Sequence, residues 1–187
     1  PDKNYEKEIF EKLSLIIKKI NQSQKNTRAI LGGSGAKGTW LKTFDADIFV
    51  LFDYRKFKDK SDKLADILEK ILKNKFKNIT RLHGSRDYFK IKINPLVFLE
   101  VVPVKKIKNP REAMNVTDLS YSHVNYIKKK IKTKKGLSDE IRLAKAFCYA
   151  NNAYGAESYV QGFSGYAIEL LVYHYGSFLK FVREIAK

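Results

Sequence analysis

Two aspartates, Asp45 and Asp47, stand at the head of a strand-like apolar run, Ile48 to Phe52, just downstream of a glycine-rich stretch, Gly32-Gly33-Ser34-Gly35-Ala36-Lys37-Gly38-Thr39. Strand side chains alternate between faces, so the two carboxylates point the same way, roughly 7 Å apart along the strand, and Ala46 points away. Oxygen ligands placed so can share hard cations with the phosphates of a substrate. A phosphate cradle followed closely by paired metal-ligand carboxylates implies a site for nucleotidyl transfer.

The glycines alone admit two other readings. Gly33 to Gly38 fits G-x-G-x-x-G, with Asp53 about 20 residues on, as the dinucleotide fingerprint requires. That motif must open a crossover helix between parallel strands, which takes a dozen or more residues. Only Thr39 to Phe44 separate the glycines from Asp45, so the dinucleotide reading fails. A Walker A loop fails as well, because Lys37 precedes its glycine. A third carboxylate is expected from a neighbouring strand, and Glu100 is the candidate, alone in the apolar run Leu96 to Val102. Burying its charge requires compensation by a metal or an arginine. The alternative is an edge strand with Glu100 facing water.

The elements that must position these residues follow from periodicity. Tyr5, Ile9, Phe10, Leu13, Ile16, Ile17 and Ile20 have helical spacing over residues 2 to 21, with Asp2 as N-cap candidate. Ala29 to Leu31 is a short strand entering the glycine loop. Asp53 to Asp62 reads as a charged loop, and Leu64 to Leu72 as a second amphipathic helix. Strands are expected at Ile79 to His83, Tyr88 to Ile93 and Leu96 to Val102, the last two parted by the turn signal Asn94-Pro95. From Asn109-Pro110 the pattern becomes helical, near 118 to 132, 139 to 151, 165 to 175 and 178 to 186. The expected fold is α+β: a mixed sheet with flanking helices over 1–110, then a small all-helical domain over 111–187. No internal repeat is visible.

Lys and Arg number 37 against 20 Asp and Glu, a net charge of +17, which points to a polyanion partner. Lysines spread along the chain favour nucleic acid over a membrane surface. The run Lys128 to Lys135 is either a solvated face or a track for an RNA backbone. Cys148 is the single cysteine, which excludes an internal disulfide and a cysteine-based zinc site, and its helical position marks it as core. No apolar run approaches the roughly 20 residues of a membrane span, and the amino terminus has no signal-peptide pattern, so the chain reads as cytoplasmic.

Gly33-Ser34, Lys37-Gly38-Thr39-Trp40-Leu41 and Asp45-x-Asp47-Ile-Phe-Val together resemble the signature of polymerase β-type nucleotidyltransferases, and specifically the archaeal-type CCA-adding tRNA nucleotidyltransferases. The likeness continues through His83-Gly84, Glu100-Val-Val-Pro103, Tyr154-Gly-Ala-Glu157, the block Gly162-Phe-Ser-Gly-Tyr with its sequel to Val172, and His174-Tyr-Gly-Ser-Phe178. The resemblance implies a polymerase β-like head in which Asp45, Asp47 and Glu100 hold two Mg²⁺ ions. Gly33, Ser34 and Lys37 would hold the β and γ phosphates. Ser120 and His123 match a Thr-x-x-His pair that contacts the nucleotide, and Lys145 and Tyr154 match residues that reach the triphosphate. On the residues alone, Ser120 is a helix N-cap candidate, His123 and Lys145 exposed helix positions, and Tyr154 core. The substrates implied are ATP, CTP and the 3′ end of tRNA.

Departures from the family pattern are Glu100 for the usual Asp, Ala46 for a larger aliphatic, and His83-Gly84-Ser85-Arg86 where the family tends to read HGEH. Archaeal-type enzymes also continue well beyond the point matching Lys187. The expectation is therefore a fragment, a reduced enzyme, or one subunit of a split enzyme whose second polypeptide carries the tRNA-binding domains. Two rival readings are a related transferase with another acceptor, such as an oligoadenylate-synthetase-like enzyme, and an RNA-binding module whose site has decayed.

Overall fold

A computed structural model describes residues 3–22, 25–41, 46–94 and 97–187. Asp45, the Asp2 cap and Pro95 lie outside the described residues. The chain divides into two compact units, Pro1–Gly35 with Lys42–Ser122, and Ala36–Leu41 with His123–Lys187.

The first unit is built on one five-stranded sheet of order β1-β2-β5-β4-β3. Its strands are β1 (Thr27–Leu31), β2 (Ala46–Asp53), β3 (Thr80–Leu82), β4 (Tyr88–Asn94) and β5 (Val97–Lys106). β2 and β5 run parallel, and the other pairs are antiparallel. Since β1 is antiparallel to β2, no parallel crossover follows the glycines, in agreement with rejection of the dinucleotide motif. Ala46, Ile48, Val50 and Phe52 alternate onto one face, where they are sealed by Ile9, Leu13 and Ile20 of α1 (Lys3–Asn21) and by Leu64, Leu68 and Leu72 of α4 (Leu64–Lys73). Asp47 therefore sits on the face turned away from this core.

Two expected loops are helical. Gly33–Lys37 forms the short helix α2, and the charged stretch after β2 forms α3 (Tyr54–Phe57) and a 3₁₀ helix (Lys58–Lys63). Asp53 starts α3 by accepting a hydrogen bond from the Lys56 amide at 3.3 Å, a cap that apolar periodicity does not reveal.

After β5 the chain stays with the sheet to Ser122. Asp118 is fully buried and bonds Arg86 Nη1 at 2.5 Å and the Lys105 amide at 3.0 Å, while Arg86 also donates to the Pro103 carbonyl at 3.1 Å. Burial opposes ionisation of Asp118, but these bonds outweigh it and hold its pKa below the ordinary value. Arg86, in the segment where the sequence departs from HGEH, is thus occupied as a structural clip.

The second unit contains α6 (Leu137–Ala150), α7 (Gly165–Tyr175), α8 (Phe178–Ile185) and most of α5 (Ser120–Thr133), around Leu137, Ile141, Ala144, Cys148, Ile168, Val172 and Phe181. Within the lysine run, Lys130 lies over Tyr173 at 4.7 Å and Lys134 donates to the Gly176 carbonyl at 2.5 Å, while Lys128, Lys129, Lys132 and Lys135 are exposed. No helix among the described residues is long and apolar enough to cross a membrane.

Candidate active site

In the sheet unit, Asp47 and Glu100 are direct register partners across the parallel pair β2 and β5. Partners in register share a face and lie about 4.8 Å apart between strands. Lys90 of β4 is the next residue in the row, opposite Glu100, with its Nζ 3.7 Å from Glu100 Oε1. Glu100 therefore lies on an interior strand, and the edge-strand alternative is wrong. Its charge faces Lys90.

Gly33 closes on this pair. Its φ is +49°, and a Cβ built on it would stand 1.6 Å from Asp47 Oδ2. The preceding Gly32 amide donates to the Asp47 carbonyl at 2.8 Å. Both the backbone conformation and the space exclude a side chain. Gly33→Ala should thus lower transfer at least about tenfold by displacing the Asp47 carboxylate. At Gly38, with φ +69° and open space, alanine should cost only backbone strain of roughly 1 kcal/mol. Steady-state rates and thermal melts of the two variants check this.

Ser34 follows in the first turn of α2, and Ser120 opens α5. Ser120 has helical backbone angles, φ −56° and ψ −39°, so the N-cap reading does not hold for it. The described residues contain no group of three metal-binding side chains. Asp47 and Glu100 nonetheless fit a hard divalent cation: two carboxylates are side by side, on the sheet face opposite the core.

In the helical unit, the buried carboxylate of Glu169 on α7 gathers three partners. Lys37 Nζ is 2.7 Å away, Lys145 Nζ 2.6 Å, and the Thr39 hydroxyl donates at 2.8 Å. Burial alone would raise the Glu169 pKa, but the two ammonium groups prevail and hold it below the ordinary range. Lys145 is buried, as the second lysine of this cluster, so the exposed-helix reading of it fails. His123 is half-buried, stacked on Tyr166 with ring centroids 4.0 Å apart. Burial first and the Lys37 charge second depress its pKa, so the imidazole is neutral at pH 7. The Tyr154 hydroxyl lies 2.8 Å from where a Gly165 Cβ would stand, so that glycine makes room for it beside α7.

Glu169 and Thr39 escaped the sequence reading. The signal was present at Glu169, a lone acid in the apolar run Ala167 to Val172, the same logic that exposed Glu100.

Residues 11–118 match the nucleotidyltransferase domain family. The chain belongs to that family. A further match, tRNA nucleotidyltransferase, second domain, covers residues 139–187. Among curated relatives, the CCA-adding enzyme of Nanoarchaeum equitans is 40% identical over 185 residues, covering 97% of this nucleotidyltransferase and 45% of the relative. That of Sulfurisphaera tokodaii is 33% identical, covering 100% of the chain and 44% of the relative. The chain thus spans less than half the length of these relatives. Among solved structures, a cyclic dinucleotide synthase from Elizabethkingia meningoseptica superposes with a TM-score of 0.68 at 17% identity, covering 94% of this chain and 74% of its own. A cytoplasmic RNA terminal U-transferase gives 0.64 at 17% identity, with 91% and 47% covered. The fold is that of the polymerase β-like nucleotidyltransferases, as expected from the sequence.

Proposed function

We propose that this nucleotidyltransferase transfers CMP and AMP from CTP and ATP to the 3′ end of tRNA in the cytoplasm, with Mg²⁺ as cofactor. The observation that carries the reading is the pairing of Asp47 with Glu100 on the sheet face opposite the core of α1 and α4, in a chain 40% identical to a CCA-adding enzyme.

Asp47 and Glu100, with Asp45, would hold Mg²⁺, which supplies charge neutralisation at the α-phosphate and a more acidic acceptor hydroxyl. Ser34 and Gly33 provide hydrogen-bond donors for the β and γ phosphates. Two lysines against one glutamate leave the Lys37–Glu169–Lys145 cluster with a surplus positive charge, which favours the departing pyrophosphate. Ser120 and His123 contact the nucleotide, where a neutral imidazole stacks and donates without repelling a cation. The protein's task is positioning and electrostatics.

A mixture of tRNA lacking its CCA end, CTP, ATP and Mg²⁺ should yield tRNA extended by up to three nucleotides, resolved on a sequencing gel. No extension, even with the carboxy-terminal domains of a longer relative added in trans as a second polypeptide, would refute the reading. Free oligonucleotides from ATP alone would assign a different acceptor.

A further inference from the structure

We propose that the sheet unit carries a second site, a basic groove that binds the phosphodiester backbone of the acceptor RNA about 20 Å from Asp47. As a statement about the acceptor it rests on the function proposed above.

The groove is a cavity of about 510 Å³ at the far end of β1 and β2, lined by Lys25, Arg28, Arg55, Lys56 and Lys106 together with Asp53 and Tyr121. A second cavity of about 360 Å³ shares Asp53, Arg55 and Lys106 and adds Lys108 and Glu112. Strand register places it relative to the catalytic pair. Asp47, Phe49, Leu51 and Asp53 alternate onto one face of β2, Arg28 is the partner of Leu51, and Lys106 is the partner of Asp53. The groove therefore opens on the same face as Asp47. Six residues along a strand, at roughly 3.3 Å each, give the separation.

The pairing of charges separates this groove from three other cationic places in the molecule, though not from the exposed lysine run after Tyr126. Arg81 has three carboxylates, Arg86 has Asp118, and Lys37 and Lys145 have Glu169. The five cations of the main cavity form no ion pair among the described residues, and Asp53, which caps α3, is the one acid in the lining, so the cavity keeps an excess of positive charge. Unpaired like charges lining one concavity repel each other, and an external polyanion relieves that repulsion. A phosphodiester strand suits a concave, polar groove lined by one aromatic residue, Tyr121, on which a base can stack. A membrane surface would require a convex apolar face, which the lining lacks.

The test is fluorescence anisotropy of a 3′-blocked RNA hairpin with a single-stranded tail, titrated with the chain in EDTA without nucleotide, across a salt series. Arg28→Glu with Lys106→Glu should weaken binding at least tenfold at low salt and reduce the slope of log K against log salt by roughly 1.5. Lys7→Glu with Lys18→Glu, the same charge change on exposed positions of α1, should leave the slope nearly intact. Thermal melts confirm that both variants fold. Equal losses in the two variants, or no loss in the groove variant, would overturn the proposal, as would a groove variant that loses affinity for anionic vesicles but not for RNA. Because the readout needs neither metal nor NTP, a failure of tRNA extension would leave it standing as an RNA site, so the two proposals fail separately.

Discussion

Asp47→Asn should reduce nucleotide transfer by on the order of 10³-fold or more, equivalent to about 4 kcal/mol of lost transition-state stabilisation. Asparagine keeps the shape of the side chain, so the close approach of Gly33 and the bond from the Gly32 amide to the residue 47 carbonyl survive. What disappears is one full negative charge from the Asp47–Glu100 pair. A neutral amide oxygen is a poor partner for a hard cation, and Glu100 is already drawn toward Lys90. The variant should therefore lose metal-dependent NTP binding in calorimetry together with incorporation of labelled CMP. Its RNA affinity in EDTA should remain within about twofold, since the basic groove is remote from the change. A residual rate within tenfold of wild type would show that Asp47 holds no essential cation.

The parts of this site that are readable in the sequence have two physical causes: carboxylates alternating onto one strand face behind a glycine-rich stretch, and a charged residue in an apolar run that must face something. Glu100 is legible on the second ground, whereas Asp47 is legible as one of two aspartates that follow the glycine-rich stretch, and the alternation of β2 assigns Asp47 its face. Their register was not readable, because parallel pairing joins residues far apart in sequence and periodicity says nothing about which strands become neighbours. Glu169 gave the same signal, yet its partners Lys37 and Lys145 come from α2 and α6, and only tertiary packing unites them. The helical turns over residues 54–63 were missed because Lys and Asp dominate them, leaving no apolar stripe. The resemblance blocks have local explanations too. In Gly162-Phe-Ser-Gly-Tyr, Gly162 passes against the Ala153 carbonyl, Ser164 caps α7 through the Ala167 amide, and Gly165 admits the Tyr154 hydroxyl. In His174-Tyr-Gly-Ser-Phe, Gly176 ends α7 with φ 90° and Ser177 caps α8.

Glu169→Gln should be the most destabilising conservative change in the helical unit, at about 3–5 kcal/mol, a large part of a typical domain's stability. The carboxylate is fully buried, and its lysine partners have side chains only 8% and 2% exposed. Glutamine leaves both ammonium groups without a counter-charge and turns an NH₂ toward one of them. The pH dependence gives the sign. The folded pKa of Glu169 is depressed, so its stabilisation is present above the unfolded value of about 4.3 and is lost as pH falls through the folded pKa. Urea melts from pH 7 to pH 3 should show the wild type losing stability in acid and the variant losing less, with the gap between them closing. Equal stability at pH 7 would show that the cluster contributes nothing net. Adding Lys37→Met to Glu169→Gln should recover part of the loss, because one uncompensated charge is replaced by an apolar side chain of similar length. Recovery of folding without recovery of transfer would then separate the structural duty of Lys37, holding the buried cluster together, from its proposed contact with the triphosphate.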